Sequence, residues 1–317
     1  MTTDRPAARG SLSRRLILVG ANLLLYFFLI RWAANNIDFH VLLADLGRIP
    51  PAAVAISVTG NVIALLLYGL RTSRLLGQRF SVALTIVNLG FALNLVMPFR
   101  LGDVTKIYLG RRMFGIRFSQ MLSAAFAEKL IDLGSLILLG GIIVAFSSSR
   151  FLNAGTLAPV AVLVAAVIGG VLGFRLFLPR FIHLAPKQRG IRRGVVALHR
   201  QLNSYKSFTV YLTTVGIWCL SVAVSYYSFN AYIPGVHVDL YDAVAILVIS
   251  ALAIAVPSAP AGIGLYEAGI VAYLQQKGVA AEAALAAASI FHFAITLPQA
   301  VMAVGLMWLA PKRTEAA

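Results

Sequence analysis

Long apolar stretches follow one another along the chain, and several are long enough to form membrane-spanning helices. A hydrocarbon core about 30 Å thick needs roughly 20 helical residues to cross it. The stretches lack the strand-like alternation of apolar and polar residues, so helices are expected and a barrel is not. The predicted apolar helices cover residues 15–33, 52–70, 82–97, 118–146, 157–178, 208–233, 241–256 and 281–309.

Two of these apolar stretches break at a similar pattern of proline, glycine and acidic residues. The first pattern, PFRLGD, spans Pro98 to Asp103, and the second, PSAPAGIGLYE, spans Pro257 to Glu267. In each, a Pro is followed four residues later by a Gly and then by an acid, and a later glycine, Gly115 or Gly278, precedes a β-branched residue. Two helix breaks at corresponding points of two halves predict an internally duplicated membrane transporter.

The composition also indicates a membrane protein. Hydrophobic residues make up 60% of the 317 residues and charged residues only 12%, which leaves too little polar surface to cover a soluble globule. The net charge of +16 suits an anionic lipid surface, and no nucleic acid partner is needed to explain it. The single cysteine, Cys219, excludes an internal disulfide. The sequence contains no phosphate-binding loop and no zinc-ligand spacing, so neither a cofactor nor a metal is expected.

The placement of Lys and Arg in short loops predicts how the chain crosses the membrane. If every apolar stretch crossed fully, the basic loop at residues 175–206 would lie opposite the basic N-terminus. If segments 82–111 and 241–277 instead enter and return to the same side, most basic residues, including those at 71–79, fall on the cytoplasmic side. The expected fold class is therefore all-α, a polytopic integral membrane protein with about six full transmembrane helices plus two re-entrant helical hairpins in an inverted repeat. Kinked full spans are the alternative, and both termini are expected in the cytoplasm.

On this scheme, residues 1–317 form a single transmembrane domain with two repeat-like halves. The first half covers residues 82–178 and the second covers 208–309, while residues 179–207 form a basic cytoplasmic interfacial segment. Apolar residues at helical spacing within that segment predict a helix lying on the cytoplasmic leaflet. Positive-inside charge without specific lipid contact is the alternative.

Ionisable side chains at membrane depth are candidates for function, because insertion of each costs about 2.5–3.5 kcal/mol. Arg100, Asp103 and Lys106 follow the first break at a spacing of three, which places the acid between two cations on one face of a short helix. The alternative is a salt-bridged hairpin tip that binds no ligand.

Further ionisable residues lie in a later helix of the first half. Glu128 and Asp132 are four residues apart on one helix face, with Lys129 beside them. Two like charges repel there unless a cation, a proton or a partner intervenes. The expected compensation comes from Arg100 or Lys106 in the preceding hairpin, or from a proton shared by the pair.

In the second half, Glu267 and His292 could together exchange protons near neutral pH. A lone His in a helix is more often a satisfied core residue, which is the alternative. A broken helix also leaves unpaired backbone N–H groups at an N-terminus, which suits phosphate, and glycines there would let a headgroup approach closely. The candidate substrate-binding or coupling residues are Arg100, Gly102, Asp103, Lys106, Glu128, Lys129, Asp132, Gly262, Gly264, Glu267 and His292.

The PFRLGD segment, the AEKLID segment at 127–132 and the second break resemble the flippase-like membrane family. This family includes the transmembrane domain of lysylphosphatidylglycerol synthases and hopanoid-associated members, so the resemblance implies a lipid translocase or a partner of lipid-modifying enzymes. The chain departs from the family pattern at Asp103, where Glu is usual, and at His292, where Arg is frequent. Only residues 311–317 follow the last predicted span, so lysyl transfer by a soluble synthase domain is not expected.

The favoured function is a lipid flippase of the cell (plasma or inner) membrane that moves a phosphate-bearing, polar-headgroup lipid between leaflets. Arg100 and Lys106 would bind the phosphate, and Glu128, Asp132 and Glu267 would bind a cationic group or exchange protons with it. One alternative is an integral membrane lipid-modifying enzyme that uses carboxylates as acid or base. Another is a non-catalytic partner of a lipid-biosynthetic enzyme. The expected ligand is a membrane lipid with an anionic headgroup.

Overall fold

A computed structural model of the protein describes residues 24, 27, 28, 30, 31, 33–97, 100–146, 206–255 and 260–309. The predicted helix at 157–178 lies outside these residues, as do all but the last two residues of the predicted interfacial segment 179–207. The break prolines Pro98 and Pro257 lie outside them as well.

The described residues are largely helical and contain no strand, which confirms the expected all-α class. A short 3-10 turn at Pro260–Gly262 lies in the second break. The helices are α1 (Phe39–Arg48), α2 (Pro51–Leu76), α3 (Phe80–Val96), α4 (Leu101–Phe114), α5 (Phe118–Phe146), α6 (Lys206–Tyr232), α7 (Leu240–Ala255), α8 (Leu265–Gln276) and α9 (Ala281–Leu309).

Three of the described helices, α2, α6 and α9, are long and apolar enough to cross a membrane, and α3 and α7 are shorter apolar helices. Large apolar side chains such as Leu212, Val301 and Trp308 remain exposed on α6 and α9. Exposed apolar faces of this extent fit contact with lipid tails. The protein is therefore a helical membrane protein, as the hydropathy predicted.

The helices follow the same order in two parts of the chain, α2–α5 and α6–α9. In each part a long helix precedes a shorter apolar helix, a break, a short helix and a final helix of 29 residues. A glycine at positive φ follows each short helix, Gly115 at 68° and Gly278 at 81°, because only glycine adopts this conformation readily at a helix end. The two parts are alike in the order of their helices. This likeness does not test the repeat boundaries 82–178 and 208–309, which remain predictions.

The two parts pack against each other through their long helices. α2 lies along α6 and also contacts α3, whereas α9 contacts α2, α3 and α8. The core of the second part includes Phe229, Tyr266 and Phe291. This packing brings the two breaks together, since Nη1 of Arg100 donates a 3.0 Å hydrogen bond to the backbone oxygen of Ile254 in the last turn of α7.

One predicted loop is helical instead. The distribution of basic residues predicted a cytoplasmic loop over residues 71–79, but α2 continues to Leu76 and contains Arg71. The prediction was wrong for Arg71, which is only 1% exposed, because its guanidinium finds a carboxylate partner, Asp132 of α5, inside the fold. A buried charge that is paired and hydrogen-bonded needs no contact with water.

Candidate functional site

A cavity of about 540 Å³ lies between the two parts of the molecule, where the helix breaks meet. Apolar side chains of α2, α3, α7 and α9 contribute to its walls, including Leu65, Val87, Leu247 and Ile295. Binding cavities for small molecules typically measure about 300–1,000 Å³. The volume is therefore that of a site for a small molecule or a lipid headgroup.

Charged side chains line part of this cavity, and all of them belong to the first part of the molecule. They are the basic residues Arg71, Arg100, Lys106 and Lys129 and the acidic residues Asp103, Glu128 and Asp132. The charged lining residues that the structure describes thus carry one more positive charge than negative charges.

Asp103, at the start of α4, is shared by three cations. Its carboxylate lies 3.0 Å from Nζ of Lys129, 3.5 Å from Nε of Arg100 and 3.9 Å from Nζ of Lys106. Arg100 and Lys129 keep 29% and 49% of their side-chain surface exposed. One carboxylate cannot neutralise both of these exposed cations, so the surplus positive charge of the cavity lies here.

Arg100 takes up its position through an unusual backbone conformation. Its φ of 54° and ψ of 34° lie in the left-handed region, which costs a non-glycine residue roughly 1–2 kcal/mol. The same residue precedes the first turn of α4 and hydrogen-bonds to Ile254 of α7. Residues held in such conformations cluster at functional sites, because the surrounding contacts must compensate for the strain.

Lys106 of α4 and Glu128 of α5 form a buried ion pair, with 3.0 Å between Nζ and Oε2. Oγ1 of Thr72 donates a 2.5 Å hydrogen bond to the other carboxylate oxygen. A carboxylate and an ammonium group tolerate burial only when they are paired and hydrogen-bonded. The sequence offered Lys106 as one of the possible partners of Glu128, and the structure brings these two residues together.

Asp132 has a partner that the sequence did not indicate. Nη1 and Nη2 of Arg71 donate to its two carboxylate oxygens at 2.6 and 3.0 Å. The guanidinium also lies 4.9 Å from the ring centroid of Tyr68, a cation–π contact. Arg71 was missed because it was grouped with loop residues. Gly77, which ends α2 at a φ of 61°, is the signal that could have extended the predicted helix past Arg71.

Glu267 and His292, the candidate pair of the second half, are in contact. Nδ1 of His292 lies 2.7 Å from Oε1 of Glu267, and the His292 ring stacks on Tyr266 with 4.1 Å between centroids. The other oxygen of Glu267 accepts the backbone N–H of Gly264 at 2.6 Å and so caps the start of α8. His292 lines the cavity, and Glu267 supports it through Nδ1.

The three candidate glycines occupy different positions. Gly262, at a φ of 75°, lines the cavity. Gly102 instead packs on α3, where an added Cβ would lie 2.5 Å from the backbone oxygen of Gly90 and 2.6 Å from the backbone nitrogen of Asn94. Gly264 precedes α8 at a φ of 84°. Gly102 and Gly264 thus serve close packing and helix initiation, and Gly262 contributes backbone to the cavity wall.

Several buried polar atoms of lining residues have no hydrogen-bond partner in the described part of the chain. They include Nε of Arg71, Oδ1 of Asn94, Nε1 of Trp218 and Nε2 of His292. Buried polar atoms are satisfied in the great majority of cases, so these four atoms, which lie behind the cavity surface, are exceptions to that rule. Asn94 and Trp218 line the cavity but were not among the candidate residues, because single neutral polar groups in apolar helices give little sequence signal.

An ion pair outside the cavity lining joins α7 and α8. Asp242, near the start of α7, is fully buried at 0% exposure. Lys277 lies directly after α8, and its Nζ is 2.5 Å from both carboxylate oxygens of Asp242. Oη of Tyr273 donates a 2.6 Å hydrogen bond to the same carboxylate. These contacts fasten the start of α7 to the end of α8, and none of the three residues is among those that line the cavity.

The fold and the cavity define a class of helical membrane protein in which two broken helices meet at a charged cavity. Among the described residues, no group of three or more His, Cys, Asp or Glu side chains is placed to hold a metal ion. The chain belongs to the family described as Lysylphosphatidylglycerol synthase TM region, whose model matches residues 17–303. This match confirms the family that the sequence motifs suggested. A comparison with curated proteins finds no match to this chain.

Proposed function

We propose that the protein is a lipid translocase, or flippase, which moves a lipid with a phosphate-bearing polar headgroup between the two leaflets. The observation that carries this proposal is the surplus positive charge in a cavity with apolar walls where two helix breaks meet. A headgroup can enter such a cavity while its acyl tails stay against the exposed apolar faces of the helices. A lipid-related role also fits the family to which the chain belongs.

Arg100 and Lys129 are the proposed ligands of the phosphate. Both are partly exposed and both contact the single carboxylate of Asp103, so a phosphate can compete for their N–H donors. Hydrogen bonds between charged partners are roughly twice as strong as neutral ones, and an exchange of carboxylate for phosphate retains that strength. Lys106, the other expected phosphate ligand, is buried against Glu128. Its proposed role is to hold that carboxylate in place.

We further propose that α3–α4 and α7–α8 are re-entrant hairpins in an inverted repeat, and that rocking of the two parts alternates access to the cavity. The shortness of α3 supports this proposal, since its 17 residues measure about 26 Å at roughly 1.5 Å per residue, less than the hydrocarbon core. We also propose that the protein lies in the plasma or inner membrane with both termini in the cytoplasm, and the distribution of Lys and Arg supports this orientation.

The pairing of the acidic residues favours a transporter over an integral membrane enzyme. A general base needs a carboxylate that is free to accept a proton. Asp103, Glu128 and Asp132 each lie within 3.0 Å of a basic side chain. If the protein were instead a non-catalytic partner of a lipid-biosynthetic enzyme, the surplus charge of the cavity would play no part in moving lipid. Lipid movement by the purified protein therefore distinguishes a translocase from such a partner.

The test is transbilayer movement of a tail-labelled anionic phospholipid in proteoliposomes that contain the full chain. Arg100→Gln removes one proposed phosphate ligand and should slow the movement at least about tenfold, since a hydrogen bond to a charged group contributes roughly 1.5–3 kcal/mol. Arg111→Gln is the matched control, because Arg111 is an exposed residue of α4 that does not line the cavity. No movement with the wild type, or full activity of Arg100→Gln, would contradict the proposal.

A further inference from the structure

We infer that α1 is an interfacial helix, which lies along the membrane surface and inserts Phe39 and Leu43 among the lipids of the adjacent leaflet. This inference is independent of the proposed translocase function, because no residue of α1 lines the cavity. Three features of α1 carry it: the positions of its two ends, the division of its apolar face, and the small area of the exposed half of that face.

Each end of α1 lies beside the start of a helix that is long enough to cross the membrane. At its first end, the backbone N–H of Asp38 donates a 3.2 Å hydrogen bond to Oε1 of Glu282, which lies in the first turn of α9. At its other end, α1 stops at Arg48 and α2 begins at Pro51. Both α2 and α9 are of membrane-crossing length, and they pack against each other. A helix placed between the starts of two neighbouring spans runs along the membrane surface.

The length of α1 agrees with this placement. Its 10 residues measure about 15 Å at roughly 1.5 Å per residue, about half of the hydrocarbon thickness that a spanning helix must cross. Its start is fixed by Asp38, whose carboxylate accepts the backbone N–H groups of His40 and Val41. α1 is therefore a separate short helix with its own N-cap, and it is not an extension of α2.

The protein covers only one half of the apolar face of α1. Leu42 and Leu46 pack against the core of the second part of the molecule. Phe39 and Leu43 lie on the adjoining half, since residues three and four apart are neighbours on a helix, and they stay 58% and 66% exposed. The two pairs of residues form one apolar stripe with an uncovered edge.

The opposite face of α1 suits contact with water and headgroups. It carries His40, Val41, Ala44 and Arg48, which are all exposed, and of these only Val41 is a large apolar residue. Arg48 pairs with Asp45 at 3.0 Å and keeps 73% of its side-chain surface exposed. Amphipathic helices of this kind lie in the interface plane, with the apolar face about 5–10 Å into the boundary between headgroups and acyl chains.

The uncovered edge is too small for a stable protein partner but fits a lipid leaflet. Two large apolar side chains, Phe39 and Leu43, offer roughly 400 Å² at most, whereas a specific protein interface needs about 800 Å² on each partner. A lipid leaflet sets no such minimum. Exposed apolar side chains also continue along the adjoining span, since Ile56 and Ile63 of α2 are 46% and 45% exposed. The occupant of the uncovered edge is therefore the leaflet into which α2 enters.

The experiment compares the surroundings of the two faces of α1 in a bilayer. Nitroxide labels are attached to single cysteines, Phe39→Cys, Leu43→Cys, His40→Cys or Ala44→Cys, in the full chain in liposomes. Cys219→Ser first removes the native exposed cysteine. Power saturation then measures collisions of each label with oxygen, which partitions into lipid, and with a nickel chelate, which stays in water. We expect the oxygen-to-nickel ratio at positions 39 and 43 to exceed that at the control positions 40 and 44 by at least about threefold, because an interfacial helix inserts only its apolar face.

A charge introduced on each face gives a second measurement. In liposomes, Leu43→Glu should accelerate amide hydrogen exchange in α1 about tenfold or more, the effect expected when a Leu side chain loses its apolar surroundings. Ala44→Glu introduces the same charge one residue further on and should leave the exchange of α1 unchanged. Leu43 and Ala44 are both exposed in the protein, so neither variant disturbs the packed core.

Three results would overturn the inference. High nickel access at all four labelled positions would mean that α1 lies in water. Low access of both reagents at positions 39 and 43 would mean that a second copy of the chain, or another protein, covers the apolar edge. Equal exchange in Leu43→Glu and Ala44→Glu would mean that insertion of Leu43 among lipids does not hold α1 in place.

Discussion

Each helix break has an acidic residue three positions after a residue of positive φ, but the two acids make different contacts. Arg100 before α4 and Gly264 before α8 both have positive φ, 54° and 84°. At the first break Asp103 faces cations in the cavity. At the second break Glu267 accepts the N–H of Gly264 and caps its own helix. The acid three residues after a residue of positive φ thus contacts cavity cations in one part of the molecule and caps its own helix in the other.

The ends of the helices away from the breaks differ as well. Asp242 and Lys277 fasten α7 to α8 by a buried ion pair, whereas α3 contains no Asp, Glu, Lys or Arg and so cannot form an ion pair of its own with α4. We therefore expect the second break to be the rigid one. The first break also carries partly exposed charges, on Arg100 and Lys129, that lie at the cavity.

The largest effect is expected at the first break, from Lys106→Met. This change leaves the buried Glu128 without its cation, and we expect it to lower the free energy of unfolding by about 3–5 kcal/mol. Thermal unfolding of the purified protein in detergent measures the loss. Lys129→Met is the control, since Lys129 has 49% of its side chain exposed and its loss should cost less than about 1 kcal/mol. Equal stability of the two variants would show that the Lys106–Glu128 pair is not the main ionic contact of this break.

A smaller and more local effect is expected at the second break, from Asp242→Asn. The carboxylate holds both Lys277 and Tyr273, so its loss should cost about 2–3 kcal/mol, the scale of a hydrogen bond to a charged group. Hydrogen exchange should accelerate in α8 and stay unchanged in α4. Asp45→Asn, which removes the surface pair with Arg48, should change neither helix. Equal acceleration in α4 and α8 would remove the distinction between the two breaks.

The smallest effect concerns the packing of the first break. Gly102→Ala introduces a Cβ within 2.6 Å of the α3 backbone, and the required shift should lower the free energy of unfolding by at least about 1 kcal/mol. Gly134→Ala is the matched control, because no atom lies within 4 Å of the added Cβ, and alanine there should be neutral or slightly stabilising. Chemical or thermal denaturation measures the free energy of unfolding of both variants. An unchanged value for Gly102→Ala would mean that α3 and α4 can move apart to admit the Cβ without cost.

The hydropathy pattern predicted the long helices well, because an apolar run of membrane length forms a helix whatever its neighbours are. The predicted bounds of α5 and α9 coincide with the structure. The pattern missed α1, a helix of ten residues that is too short for this signal. Its start is nevertheless encoded locally, since the carboxylate of Asp38 accepts the N–H groups of His40 and Val41 and such a residue is a typical N-cap.

The candidate site was only partly predictable. Lys106 was among the expected partners of Glu128 because few cations were placed to compensate it. The Arg71–Asp132 pair joins residues of α2 and α5 that are far apart in the chain, and no local pattern specifies how those two helices pack. The placement of Asn94 and Trp218 at the cavity depends on the same packing, which a neutral polar residue in an apolar helix does not reveal.

A single guanidinium joins the two breaks. Arg100 contacts Asp103 at one break and the backbone oxygen of Ile254 at the other, and the last carbonyl groups of a helix have no partner within that helix. A ligand that competes for Arg100 therefore changes the free energy of the final turn of α7. By thermodynamic reciprocity, anything that orders this turn changes the affinity for the ligand by the same factor. Occupancy of the cavity and fraying of α7 are thus linked equilibria.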